Sequence, residues 1–310
     1  MTLVYFDTNF FYNVVDQAVD QNTLSALREW VEKSDARCFY TPISFVEIAG
    51  HITQAEADKF TRFKATLEWT KSTCGNNMLD NPDLVLARTL DVPPPTSDDE
   101  VRASELNRVR DLICSASSYE QLVSGQRGYW NGRPSLVRFR DGVLSRFRDE
   151  NEERWVQDLY DHVVGLVNPD YLSQREGGGS LRVKDADLRK RLLGLLESPT
   201  FEREFLQACI TKAIGGQQSP FVQPLPDPVV RNHIERVSGY FTAYKTILRQ
   251  MIVTGYRPKR NDLNDLHFLI YLAMNPDTVF VTHDKKLTAK VQGCSQARQV
   301  MTVKGLIGAP

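Results

Sequence analysis

Apolar positions along the chain change their period several times, and the changes mark out its elements. Leu3-Val4-Tyr5-Phe6 is an apolar run that stops at Asp7-Thr8-Asn9, the pattern of a buried strand ending at a polar edge. Beyond Asn9 the spacing becomes three to four residues. Phe10, Phe11, Val14 and Val15, then Leu24, Leu27, Trp30 and Val31, predict two helices parted near Asp20-Gln21-Asn22. Arg37-Cys38-Phe39-Tyr40 predicts a short strand closed by Thr41-Pro42. Pro42 suits a first helical turn, and Ile43, Val46, Ile48 and Ala49 continue it as a short helix with Glu47 in its opening turn.

The middle of the chain has a different character. Gly75-Asn76-Asn77 and the stretch from Asp91 to Ser97, with prolines at 93 to 95, are loop chemistry. Ser97-x-x-Glu100 matches a capping box ahead of a helix through Val101, Leu106, Val109 and Ile113. Leu144, Phe147, Trp155, Leu159, Val163 and Leu166 predict a long helix over 141–167, ended by Asn168-Pro169. After a joint at Gly177-Gly178-Gly179 come helices over 181–196 and 201–214, then a proline-rich connector from Pro220 to Pro228. Residues 74–228 thus read as a mostly helical insertion between two parts of one core, 1–73 and 229–310.

The last part returns to the style of the first. A long helix is predicted over 229–253 with Gly255 as its stop, followed by an apolar helix from Asn261 to Ala273 whose acids, Asp262 and Asp265, stand in its first turn. Thr278 to Val281 reads as a buried strand, and Thr282-His283-Asp284 repeats the strand-to-acid ending seen at Asp7. A short helix over 285–291 and a final strand over 300–303 complete the chain. The expected class is α/β, with a central parallel sheet flanked by helices. In such a sheet the carboxyl ends of the strands are where ligands collect. Each acid also has a plainer reading, since Asp7 suits a helix N-cap and an early Glu47 complements a helix dipole.

Composition narrows the function classes. With 310 residues, 41% hydrophobic and 25% charged, the chain can bury a large core. No stretch approaches the roughly 18 apolar residues of a membrane span, and the first strand follows Met1-Thr2 without a leader pattern, so a cytoplasmic protein is expected. The five cysteines are scattered and never form a C-x-x-C pair, which predicts reduced thiols. A net charge of −1 gives no bulk attraction to nucleic acid. No phosphate-binding G-x-x-x-x-G-K-[ST], serine-hydrolase G-x-S-x-G or zinc H-E-x-x-H motif is present. A haloacid-dehalogenase-type phosphatase would need a second acid where Asn9 stands, and His267 and His283 are read as packing locally rather than as zinc ligands.

Four motifs in order, Val4-Tyr5-Phe6-Asp7-Thr8-Asn9, Ser44-Phe45-Val46-Glu47, Asn264-Asp265-Leu266-His267-Phe268-Leu269-Ile270-Tyr271-Leu272-Ala273 and Phe280-Val281-Thr282-His283-Asp284, resemble those of the PIN-domain nucleases, with a large helical insertion. The resemblance covers residues 1–73 and 229–310. It implies a pocket of acids holding Mg²⁺ or Mn²⁺ for hydrolysis of RNA, less often of structured DNA. It also implies an RNA substrate and admits a protein partner such as an antitoxin, as well as an oligomer. Toxin-antitoxin systems are the family's commonest setting, but those toxins are close to the bare domain, which this chain exceeds by its insertion. Two alternatives stand beside a ribonuclease: a PIN-like scaffold that binds RNA or protein without cleaving, and a structure-specific DNA nuclease.

Independently of the family, carboxylates converging in a crevice repel one another unless a cation offsets them, and hard oxygen donors select Mg²⁺ or Mn²⁺. Asp7, Asp265 and Asp284 are read as direct or water-mediated ligands and Glu47 as a ligand or orienter of metal-bound water. Asn9 and Thr282 are supporting donors, with Ser44 a weaker one. Asp262, on the same helix face as Asp265, is a cap, an additional ligand or the true one, and Asp265 fits the spacing to Asp284 better. For the substrate, Arg257, Lys259, Arg260, Lys285 and Lys286 flank the acids in sequence. Six arginines between Gln126 and Arg148, including Arg138 and Arg140, alternate with Tyr129, Trp130, Phe139 and Phe147, as a single-strand groove requires or as a solvated face over core aromatics would also give.

Overall fold

The computed structural model describes residues 1–52, 57–93, 103–125, 150–168, 170, 182–213 and 225–308. Four strands, β1 (Thr2–Phe6), β2 (Ala36–Phe39), β3 (Thr278–Val281) and β4 (Val300–Met301), form one sheet in the order β2-β1-β3-β4 with every pairing parallel. In chain order the helices before residue 126 are α1 (Thr8–Val15), α2 (Gln21–Lys33), α3 (Pro42–His51), α4 (Ala57–Cys74), α5 (Pro82–Thr89), α6 (Ala103–Ser115) and α7 (Tyr119–Gly125). Those after it are α8 (Glu150–Val167), α9 (Ala186–Leu196), α10 (Pro199–Ala213), α11 (Asp227–Arg236), α12 (Ser238–Thr254), α13 (Arg260–Ile270), α14 (Lys285–Lys290) and α15 (Val303–Ile307).

The alternation of side chains along β1 builds the two cores. Leu3 and Tyr5 enter one apolar cluster, with residues of α5 and of α8 to α13; Val4 and Phe6 enter the other, with residues of α1 to α4, α6, α7 and α15. A strand covered on both faces has to be apolar at every position, which is why Leu3 to Phe6 show no alternation in sequence. Helices of the insertion join both clusters: α6 and α7 contribute Leu106, Val109, Ile113 and Leu122 to one, α9 and α10 contribute Leu192 and Phe205 to the other. α6 is also fixed by Arg110, fully buried, which donates to the Tyr40 hydroxyl at 2.9 Å, the Gly75 carbonyl at 2.6 Å and the Asn76 side chain at 2.7 Å.

Several elements differ from the sequence expectation: the strand expected over 300–303 stops at Met301, where Thr302 caps α15, and α7 was not anticipated. α4 was hidden because its inner face carries Thr66 and Thr70 beside Phe63 and Leu67; both hydroxyls are satisfied by the carbonyl four residues back, at 2.8 Å, so they can be buried. The short α5 likewise has no periodic stripe long enough to mark it. The long helix expected over 229–253 is two, α11 and α12, because Val237 leaves helical geometry (φ −113°, ψ 26°). The break is held by the buried Gln296, whose amide accepts from the Gly239 N–H at 2.8 Å and donates to the Arg236 carbonyl at 2.9 Å. A Cβ at Gly239 would lie 3.2 Å from both Gln296 and Leu272. The Ser97–Glu100 capping box, the arginine-rich stretch from Gln126 to Arg148 and the glycines at 177–179 lie outside the described residues.

Candidate active site

Strand order places the acids before any side chain is considered. β1 connects through α1 and α2 to β2 on one side, whereas β3 connects through α14 to β4 on the other, so the chain departs in opposite directions from two adjacent strands. Between such strands a crevice opens at their carboxyl ends. Asp7 follows β1 and Asp284 stands just beyond β3, one on each side of it. α3 follows β2 and α13 precedes β3 in the chain; Asn264 of α13 donates to Glu47 of α3 and Asp265 stands near Asp284, which brings both helices to this edge. α13 is tied there by Tyr5, whose hydroxyl donates to the Phe268 carbonyl at 2.6 Å, and by Phe280, which stacks on both Tyr5 and Phe268.

Asp7 is buried and caps α1, accepting from the backbone N–H of Asn9 and of Phe10. Its other oxygen accepts from the buried Thr282 hydroxyl at 2.5 Å, and the same hydroxyl accepts from the Asp284 N–H at 2.9 Å. One threonine thus links the two strand-end acids. Asp284 in turn caps α14 through the N–H groups of Lys286 and Leu287. The capping reading of Asp7 is therefore correct as local geometry, and the acid lies buried against Thr282 at the strand ends. Burial pushes the Asp7 carboxyl above the ordinary carboxylate value against the hydrogen bonds that lower it, and Asp284 pushes it further.

Glu47 and Asp265 each sit one turn deeper than the opening turn expected for them. Thr41 caps α3, whose first turn contains no acid, and α13 starts at Arg260, so its first-turn acid is Asp262. The dipole reading of Glu47 loses its basis, since that effect fades beyond the first turn. Glu47 is held instead between two neutral donors, the Thr8 hydroxyl and the Asn264 amide. Ser44 is buried with Thr41 at 3.0 Å and the Phe6 carbonyl at 3.4 Å as its partners, and Asn9 reaches Asp7 through its backbone.

At the α13 end the charge is met differently. Lys290, buried, places its ammonium 2.9 Å from Asp262 and 2.9 Å from Asp265. Asp262 also accepts from the Tyr256 hydroxyl at 2.6 Å and the Lys259 N–H at 2.8 Å, and despite burial these partners hold it below the ordinary value. Asp265 is raised to about 6: burial outweighs Lys290, and Asp284 and Asp262 add to the rise. Asp284 therefore faces both Asp7 and Asp265. Of the residues with assigned roles in sequence, Arg257, Lys259, Lys285 and Lys286 are exposed near these helix starts; Arg138 and Arg140 lie outside the described residues. His283 is exposed beside Phe10, and His267 is buried with its Nε2 3.0 Å from Lys212.

Thr8, Asn264 and Lys290 went unassigned in sequence. Asn264 carried a usable signal, an amide set between Leu263 and Leu266 in an apolar helix. So did Lys290, which falls at helical spacing from Leu287 and adjoins Val291 on a buried face.

Among the described residues no three His, Cys, Asp or Glu side chains stand close enough to form a ready-made metal cage. The donor set nevertheless fits a hydrated Mg²⁺ or Mn²⁺. Mg²⁺ keeps several waters and is commonly bound through one or two carboxylates together with substrate phosphate. Asp7 and Asp265, both raised in part by Asp284, carry repulsion that such an ion would offset.

Compared with protein-family models, with curated proteins and with solved structures, the chain matches none. Among the described residues no helix is long and apolar enough to cross a membrane, and all five cysteines are free thiols.

Proposed function

We propose that this chain is a metal-dependent phosphodiesterase of PIN-like type that hydrolyses RNA. The observation that carries this reading is that Asp284 stands near enough to both Asp7 and Asp265 to raise their carboxyls, at the switch point of a parallel sheet. Asp7 and Asp284 would hold the ion, with Asp265 and Glu47 acting directly or through water. Bound there, a divalent ion supplies an activated water and neutralises charge on the scissile phosphate.

The chain's own groups have definite tasks. Thr282 fixes the Asp7 carboxylate relative to Asp284, and Thr8 with Asn264 fixes both oxygens of Glu47. Exposed Lys285 and Lys286, with Arg257 and Lys259, supply positive charge near the helix starts that flank the acids, where a phosphate backbone can be held. In-line attack by water would leave 5′-phosphate and 3′-hydroxyl ends.

The test is incubation of the purified chain with single-stranded RNA, duplex RNA and flap DNA, with Mg²⁺, Mn²⁺ or EDTA. RNA cleavage that needs the ion and is lost in Asp7→Asn is expected. Cleavage that survives EDTA overturns the mechanism, preference for the flap favours a DNA nuclease, and binding without cleavage favours a scaffold.

A further inference from the structure

Lys290 comes from a different element than the acids it meets. It ends α14, and its ammonium reaches back to Asp262 and Asp265 of α13 at 2.9 Å each, with 9% of the residue exposed. Lysine carries a compact, strongly hydrated charge, and taking it out of water is unfavourable unless its partners are well placed. Here they are. Asp262 is oriented by Tyr256 and by the Lys259 N–H, and Asp265 by its place in a helix tied to β1 through Tyr5. Two carboxylate oxygens from neighbouring turns converging on one positive centre is the environment a free cation would otherwise occupy.

We propose that Lys290 is a tethered cation filling the Asp262–Asp265 end of the acidic edge, so that the site takes a single divalent ion, at the Asp7–Asp284 end. The inference rests on the metal-dependent reading for its meaning. Lys290 is then a positioning residue: it fixes Asp265 and excludes a second ion from Asp262. At the opposite end the hydrogen-bond donors to Asp7 among the described residues are neutral, namely two backbone N–H groups and the Thr282 hydroxyl. Among the described residues no cation pairs with Asp7 as Lys290 does with Asp265, which directs the ion to that end.

A lysine that only braced α14 against α13 would also stabilise the fold, so loss of stability does not discriminate. Ion count does. Bound Mn²⁺ would be counted by calorimetric titration and by electron paramagnetic resonance on the full chain, its Lys290→Met and Lys290→Arg variants, and the double variant Lys290→Met with Asp262→Asn. The expected result is one ion more in Lys290→Met than in the unaltered chain, no gain in Lys290→Arg, and at least a tenfold weakening of the added ion in the double variant. If Lys290→Met does not fold alone, Mn²⁺ but not Na⁺ should restore its folding.

An unaltered chain that binds two ions overturns the inference, as does a Lys290→Met variant with no added ion or no rescue. An unaltered chain that binds none brings down the metal-dependent reading alone, because a gained ion in Lys290→Met still supports the tethered cation.

Discussion

The two ends of the acidic edge satisfy their carboxylates by different means. At the strand ends, Asp7 is held by backbone N–H groups and one hydroxyl, all uncharged among the described residues. On α13, Asp262 and Asp265 share the ammonium of Lys290. Neutral donors fix the geometry of a carboxylate without cancelling its charge. A lysine cancels charge and occupies the space where an ion would sit. The first end is thus organised and still negative, as a cation site requires, and the second is largely settled within the chain.

The comparison is broken most directly by removing one acid from each end. Asp7→Asn should lower metal-dependent RNA cleavage by at least roughly 10²-fold and abolish the thermal shift given by Mn²⁺, since it takes a charged ligand from the unneutralised end. Asp262→Asn should leave the cleavage rate within several-fold. Equal losses from the two substitutions, measured as single-turnover rates with folding checked by circular dichroism, would show that the ends do not differ.

Thr282→Val comes next. The substitution keeps the side chain's shape and removes the hydroxyl shared by Asp7 and Asp284. Leaving a buried carboxylate oxygen without its donor costs about 1–3 kcal/mol. Because the Thr282 bond lowers the Asp7 carboxyl against burial, its loss raises that pKa further and shifts the acidic limb of the pH–rate profile upward. Urea denaturation and a pH–rate profile check the two effects separately; an unmoved acidic limb would remove Asp7 from the reacting state.

Much of this edge was legible from residue order. Apolar runs broken by Asp7 and Asp284 marked β1 and β3 because a strand buried on both faces has no polar position before it ends. Periodicity could not supply the strand order that makes their junction a crevice. Nor could it show that the middle of the chain feeds both cores, as Leu106 and Phe205 do on opposite faces of the sheet. Helix depth was misjudged for Glu47 and Asp265 although the helix starts were read to within a residue: from Pro42 and Arg260 both acids are the sixth residue of their helices, which is a second-turn position. Lys290 was passed over among exposed lysines, although Lys285 and Lys286 lie outside and Lys290 in. Charge composition does not distinguish a solvated lysine from one aimed inward.

At the α13 end the sign of the pH dependence can be fixed. Asp265 has a folded-state pKa of about 6, raised chiefly by burial. Between about pH 4 and pH 6 the folded chain keeps a proton that the unfolded chain has released, so stability is greatest below this window and falls as pH rises through it. Asp265→Asn should flatten that slope. Chemical denaturation at pH 4.5 and pH 7 reads this directly. A steeper slope in the variant would mean that Lys290 over-compensates Asp265, contrary to the balance described for this end.

The smallest effect belongs to Glu47, which is only half-buried. Thr8→Val removes one neutral donor to it, but water can reach the vacated oxygen, so stability should change by only about 0.5 kcal/mol. Orientation is another matter. A ligand or water-orienting group that loses a supporting hydrogen bond commonly costs 10–100-fold in metal affinity or activity. If Glu47 belongs functionally with Asp7, Thr8→Val weakens Mn²⁺ binding about tenfold while barely altering the unfolding midpoint. If both quantities stay unchanged, Glu47 is a structural acid joining α1 to α3 and α13, and the neutral-donor end of the site reduces to Asp7 and Asp284.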